Sequence, residues 1–558
     1  MNLSSKLHLE DDEIKNYGLV EVEKLLRNCG RSLREFEPIP FPPSEFFSTV
    51  GNSLIREEMC YDRSNLSQEL NKNLYVMTSE QRHVYDEIME ATRSNKGGLF
   101  FVYGYGGTGK TFIWRTLSAA IRCKGDIVLN VASSGIASLL LPGGRTAHSR
   151  FKIPINPTED STCNIKQGSP LADLIIRCKL IIWDEAPMMH RYCFEALDKT
   201  MRDILRINDQ FSIDKPFGGK TVVLGGDFRQ ILPVIPKGTR QDIVHATINS
   251  SYLWRDCKVL RLTKNMRLRN LTSVDECAKL KQFSDWIASI GDGTIGGPND
   301  GHATIEFPSD LLIKYSNDPI AAIVKSTYPE FTSNITDDTY FEGRSILAPT
   351  LDIVESVNEY MLSINTAEEK TYLSSDTTCR SDSNNDLLQD LHTPEFLNSL
   401  KCSGVPNHVL HLKIGTPVML LRNIDHSIGL CNGTRMVITR LGAHVLEAKI
   451  LGGNNSGERV LLPRMSLTPS DPRLPFKFNR RQFPLIVSYA MTINKSQGQS
   501  LHNVGIFLKK PVFSHGQLYV AISRVTNRKG LKILICDNDV AESNSTTNVV
   551  FKEVFEKI

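Results

Sequence analysis

One segment, Gly104-Tyr-Gly-Gly-Thr-Gly-Lys-Thr111, constrains this chain more than any other. It matches G-x-x-x-x-G-K-[ST], follows an apolar run at 99–103 that reads as a strand, and opens a helical stretch reaching to about residue 122. Glycines are needed there because the backbone must curl around phosphate oxygens, presenting its N–H groups and a helix N-terminus as a positive field. Gly104, Gly106, Gly107, Thr108 and Gly109 would form the cradle. Lys110 would reach the outer phosphates and the Thr111 hydroxyl would hold Mg²⁺. ATP and Mg²⁺ are therefore the expected cofactors.

A loop of this kind sits on a buried parallel sheet, and the rest of the chain reads that way. Continuous short apolar runs recur at 127–132, 180–183, 221–224 and 259–262, each followed by a turn or a helix. Strands covered on both faces lose the in–out alternation, so unbroken apolar runs are their signature. A second set follows at 345–348, 485–488, 504–508 and 531–535. The expected fold class is α/β, with two α/β units. Residues 401–483 differ, with short alternating segments and turn signals that read as a small all-β insertion. Residues 375–385, SDTTCRSDSNN, read as a polar surface loop or mobile linker. The first 75 residues read as a peripheral arm, periodic at 20–26 and extended through the prolines of 38–47.

Two carboxylates end the apolar run of Leu180-Ile-Ile-Trp-Asp-Glu-Ala186. Asp184 would complete the Mg²⁺ shell and Glu185 would orient and deprotonate the attacking water. The competing reading is an Asp-Glu pair favoured at a helix start. A third strand leads into Gly225-Gly-Asp-Phe-Arg-Gln-Ile-Leu-Pro-Val234, where the amide of Gln230 can bond both water and γ-phosphate. An ordinary strand-to-loop turn is the alternative there.

Net charge is +3 over 558 residues, so any nucleic-acid contact must come from a local groove. Twelve cysteines are scattered singly without metal-ligand spacing, as in reduced intracellular proteins. No run approaches the roughly 18 apolar residues of a membrane span, and the first residues lack a signal-peptide core. A soluble intracellular chain with no membrane partner is expected.

Ordered along the chain are MTSEQ (77–81), GYGGTGKT, ASSGIASLLLPGGRTAHSRFKIP (132–154), WDEA, PFGG…GGDFRQILPV (216–234), LTKNMR (262–267), AMTINKSQGQSL (490–501) and YVAISRVTN (519–527). This series resembles superfamily 1 DNA helicases, and within them the Pif-one family, over roughly 77–537. The PFGG-plus-GDFRQ block is the part that singles that family out. The arm and overall style are also similar to the helicases of Helitron-type transposons and their plant relatives.

The resemblance implies two RecA-like domains: 76–268, with a short insertion near 151–171, and 269–400 plus 484–558, carrying a small β-barrel at 401–483. It implies Gln81 at the adenine edge, and Arg267 and Arg524 as arginine fingers joining Lys110, Glu185 and Gln230 in catalysis. DNA would be gripped by Ser133, Ser134, Thr146, His148, Ser149 and Phe151 from the first domain. Asn494, Lys495, Ser496 and Gln497 would grip it from the second, with Gln497 coupling DNA to the ATP cleft. Many relatives have histidine where Asn494 stands, so stacking is lost there. Residues 473–483, RLPFKFNRRQF, read equally as a DNA exit path or a core-facing strand.

The implied activity is ATP-driven 5′→3′ movement on single-stranded DNA by a monomeric motor that unwinds forked or structured DNA. Repair, recombination and telomere maintenance follow from kinship, with nuclear or else mitochondrial residence. The alternative is a non-catalytic single-strand-binding remnant of a transposon helicase.

Overall fold

Six parallel strands build the first sheet: β1 (Gly98–Gly104), β2 (Ile127–Ala132), β3 (Arg145–Thr146), β4 (Cys178–Asp184), β5 (Thr221–Gly226) and β6 (Cys257–Leu262). Their order is β3-β2-β4-β5-β1-β6, so β4, β5 and β1 end side by side at one edge. The computed structural model describes parts of 12–43, and 52–558 apart from 267–273, 298–299, 316, 336, 380–392, 403, 454, 470–473, 475 and 537–543.

Every residue of β2 and β5 is buried, because helices cover both faces of the sheet. Phe101, Leu129, Ile181, Trp183 and Leu224 pack on one face. Phe100, Val102, Val128, Ile182 and Val223 pack on the other, against Ile113, Trp114 and Leu117.

Among the helices around this sheet are, in chain order, α1 (Ser53–Met59), α2 (Arg63–Val76), α3 (Ser79–Arg93), α4 (Lys110–Arg122), α5 (Gly135–Leu139) and α6 (Ala147–Phe151). Val84, Tyr85, Ile88, Met89 and Thr92 give α3 one buried stripe at helical spacing, and Thr78 with Gln81 closes its N-terminus as a capping box. Thus α1 and α2 bring the arm onto the first sheet. The arm is non-helical at 38–43, and much of its stretch 20–26 lies outside the described residues.

A second parallel sheet has the order 490–492, 344–348, 503–508, 531–535. The sequence placed 485–488 in it. Instead Leu485–Val487 pairs antiparallel with Pro417–Leu420 in a five-stranded antiparallel sheet, and Ala490–Thr492 takes the parallel position. A three-residue apolar run carries no information about strand direction.

The polar stretch 375–385 also differs from expectation. Ser375–Thr378 is a strand paired with Phe478–Gln482, and 380–385 lies outside the described residues. Asp376 and Arg480 form a buried ion pair at 2.7 Å there, and Phe478 and Phe483 are in the core. Around them Phe478–Gln482 forms a core-facing strand, one of the two readings left open.

Candidate nucleotide and nucleic-acid site

The carboxyl ends of β1, β4 and β5 define the site, as adjacent strands of an open α/β sheet require. After β1 the chain curls through Gly107 (φ 98) and Gly109 (φ 88) into α4. A side chain at Gly109 would meet Gln81 Nε2 at 2.5 Å, so the left-handed turn and the close approach both demand glycine. Lys110 Nζ donates to the Gly104 carbonyl, and half-buried Thr111 follows in the first turn of α4.

Gln81 is enclosed: its Oε1 accepts from the Thr78 N–H at 3.1 Å and its Nε2 donates to the Thr108 carbonyl at 3.2 Å. Through these two bonds it braces the loop. A cavity of about 410 Å³ opens beside it, lined by Thr78, Tyr105, Lys264, Asn265, Met266 and Asp285 among others. The Met266 N–H donates to the Gly107 carbonyl at 2.8 Å, tying the end of β6 to the loop.

Asp184 and Glu185 end β4. Asp184 Oδ1 accepts from the Glu185 N–H at 3.0 Å, and Glu185 adopts a left-handed backbone, φ 53 and ψ 40. Burial raises the pKa of Asp184, while Lys110 opposes the shift. Burial pushes Glu185 up to about 7, the Asp184 charge adds to this, and Lys110 and Arg524 pull it down. These desolvated carboxylates, within the field of Lys110, offer hard oxygen donors of the kind that suits Mg²⁺. Gly225 keeps room for them, since a Cβ there would lie 2.4 Å from Trp114 Cζ2 and 3.1 Å from Asp184 Oδ1.

Residues from beyond the first sheet reach the same edge. Arg524, 8% exposed, donates to the Val520 and Gln499 carbonyls at 3.0 and 3.2 Å, and its charge acts on Glu185. Gln497 Nε2 donates to Gln230 Oε1 at 2.9 Å, so two expected residues 267 positions apart are in contact. Arg267 lies outside the described residues.

The expected DNA-contact residues divide. Thr146 and His148 are half-buried and Ser149 is exposed on α6; burial lowers the pKa of His148, favouring a neutral ring. Ser134 caps α5 by accepting from the Ala137 N–H at 3.2 Å. Ser133 Oγ accepts from Trp183 Nε1 at 3.0 Å, linking this loop to the strand that ends in Asp184.

Two expectations are corrected by burial. Phe151 is fully enclosed in the core, 6.2 Å from the Trp183 ring, and cannot stack on a base. Ser496 is also fully buried, with its hydroxyl donating to the Ile493 carbonyl at 2.7 Å. Lys495 Nζ lies 3.4 Å from Asn432 Oδ1, with its pKa lowered by burial, and Asn494 Oδ1 accepts from Gln517 Nε2 at 3.1 Å. The loop carrying Asn432 faces α5, its carbonyl 2.7 Å from where a Cβ on Gly135 would lie.

Sequence reasoning missed Tyr519, whose hydroxyl donates to Asp227 at 2.7 Å across the two sheets. It also missed Trp183, quoted within WDEA but given no role.

Parallel sheets with a phosphate loop at one carboxyl edge and residues of a second sheet reaching it define a two-sheet P-loop NTPase. Comparison with known proteins places the chain within that class. The PIF1-like helicase family model matches residues 76–301, and the model described as DNA helicase Pif1, 2B domain, matches 395–441. Both models support a place for the chain among the Pif1-like family of helicases.

It is 26% identical to the human ATP-dependent DNA helicase PIF1 over 79% of this chain and 59% of that protein. To the zebrafish (Danio rerio) protein of the same name it is 27% identical, over 84% and 63%. The chain therefore spans roughly three-fifths of the length of these relatives. Among solved structures, a Bacteroides Pif1 in complex with ADP-AlF3 and single-stranded DNA shares the fold, with a TM-score of 0.58 and 22% identity over 85% of this chain and 94% of that one. Another, described as DNA unwinding at forked duplex by two coordinating Pif1 helicases, gives 0.57 and 23% over 84% and 93%.

Proposed function

We propose that the chain is an ATP-hydrolysing motor that moves 5′→3′ along single-stranded DNA and unwinds forked or structured duplex. The observation that carries this reading is the reach of Arg524 and Gln497, from the second sheet, to Glu185 and Gln230 at the phosphate-loop edge. A site shared between two sheets changes shape with its nucleotide, which a single-sheet kinase-type site does not require. The named activities and DNA complexes of the relatives support it.

Lys110 and the loop N–H groups would hold the phosphates, and Thr111 and Asp184 would hold Mg²⁺, which when bound neutralises phosphate charge. Glu185 would take the proton of the attacking water, with Gln230 orienting it and Arg524, with Arg267, countering developing charge. Ser149, His148 and Thr146 from one side and Lys495 from the other would touch the strand. Gln497 would pass the state of that grip to Gln230.

The same reading divides the chain into an arm at 1–75, a first domain at 76–268, a second at 269–400 plus 484–558, and a β-rich insertion at 401–483. Work on DNA places the protein inside the cell; nuclear residence and a part in repair, recombination and telomere maintenance are proposed from kinship. ATPase and strand displacement should be measured on forks with 5′ or 3′ tails. Hydrolysis should depend on single-stranded DNA, vanish in Lys110→Ala, and drive displacement only with a 5′ tail. Equal hydrolysis without DNA would sink the motor reading, and DNA binding without hydrolysis would favour the remnant.

A further inference from the structure

The helix α1 lies before the segment matched by the family model, yet it bonds arginines next to the proposed DNA-contact residues. Its adjacent glutamates take hold of three arginines. Glu58, 3% exposed, accepts from Arg150 Nη2 at 2.6 Å and from Arg122 Nη2 at 3.1 Å. Arg122 closes α4, the helix that begins with Lys110, and Arg150 sits in α6 beside His148 and Ser149. The Tyr61 ring stacks 3.9 Å from the Arg122 guanidinium and completes the enclosure.

Glu57 differs in exposure. It pairs with Arg145 at 2.5 Å, with side chains 53% and 33% exposed. Arg145 immediately precedes Thr146 at the carboxyl end of β3, opposite Val131 and just before the Ser133–Ser134 turn across the sheet. The field of Arg145 also reaches His426, on the loop of the β-rich region that faces α5. Arg145 therefore lies between the arm and the proposed strand path.

The contrast in burial separates the roles of the two pairs. A buried carboxylate between two guanidiniums cannot be removed without leaving charge unsolvated, so Glu58 stays bonded and holds α1 against α4 and α6. An exposed ion pair contributes little net stability, so a DNA phosphate can take the guanidinium from Glu57 at small cost.

We propose that Arg145 is a phosphate-backbone ligand for single-stranded DNA, held in reserve by Glu57 of the N-terminal arm while Glu58 anchors that arm. This rests on the reading that the groove beside Thr146 and His148 carries a DNA strand. Arginine is suited to the exchange, since its planar fork meets carboxylate and phosphate alike.

The test is binding of fluorescent oligo-dT to the full chain by anisotropy across a salt series. Arg145→Gln should weaken binding about 3- to 10-fold at low salt and lessen the slope of log K on log salt by about 0.7, the value for one single-strand phosphate contact. Glu57→Gln should tighten binding about 2- to 5-fold. The double variant should match Arg145→Gln, because the glutamate acts only through the arginine. Glu69→Gln, on the exposed side of α2, makes the same charge change without touching Arg145 and should bind as the parent does.

Overturning results are an unchanged slope in Arg145→Gln, equal tightening in Glu57→Gln and Glu69→Gln, or additive effects in the double variant. If the parent chain fails to bind oligo-dT at all, the DNA reading itself falls. If it binds and all variants behave alike, the roles of both Arg145 and the arm fall while the DNA reading stands.

Discussion

Glu185 occupies φ 53 and ψ 40, a left-handed conformation that costs a side-chain-bearing residue roughly 1–2 kcal/mol. Its carboxylate is also pushed up to about 7 by burial and by Asp184. Both costs persist because the position aims an acid at the phosphate-loop edge, and strain of this sort collects at functional sites. Glu185→Gly should therefore raise the urea midpoint, with about 1 kcal/mol of added stability from relief of strain. DNA-stimulated hydrolysis should fall by about 10²–10⁴ in the same variant, as expected on loss of a general base. A lower midpoint would mean that the strain is absent. Glu185→Gln should lose hydrolysis to a similar degree while still binding ATP, as measured by equilibrium titration.

The arm helix α1 shows how one short element can be held unequally along its length. Glu58→Ala would leave Arg122 and Arg150 buried without their carboxylate, a loss of about 3–5 kcal/mol. Glu57→Ala breaks a solvent-screened pair and should cost no more than about 1 kcal/mol. Urea unfolding of the two variants side by side measures the difference. Equal losses would show that α1 is not anchored at Glu58. The anchoring also gives α1 a reason to be short: seven residues suffice when one buried side chain supplies the attachment.

Across the whole molecule, the segment after β5 joins the two sheets. Asp227 accepts from Tyr519, Gln230 accepts from Gln497, and the Phe228 carbonyl lies 2.7 Å from His515 Nε2. Gly516 is required there, since its φ is 72 and a Cβ would come 2.3 Å from the Arg229 carbonyl. His515 is fully buried, and its Nδ1 accepts from the Phe551 N–H, which fixes a neutral ring. Burial lowers its pKa from 6.5 to about 4.

The unfolded chain thus binds the proton first, so this stability is present above about pH 6.5 and lost as pH falls toward 4. Some 3 kcal/mol is at stake, from about 1.4 kcal/mol per pH unit. Urea midpoints between pH 7 and 4 should fall less steeply in His515→Asn than in the parent. Identical slopes would remove His515 as the source.

Much of the first sheet and the nucleotide edge could be read from the chain because their signals are local. Gly109, Lys110 and Thr111 follow β1 directly, and Asp184 and Glu185 end a strand whose apolar run announces it. Strand, turn and helix start lie within a few residues, so spacing and chemistry coincide. Partners drawn from distant parts of the chain obey no local rule. Arg150 meets Glu58 across 92 residues and His515 meets Phe228 across 287. Phe151 misled for the same reason: an aromatic beside a nucleic-acid motif looks alike whether it faces a groove or the core, and only packing against Trp183 distinguishes them. Local backbone preference and apolar period are written in consecutive residues. Which carboxylate neutralises which guanidinium, and which ring is enclosed, depends on chain closure that brings distant residues together.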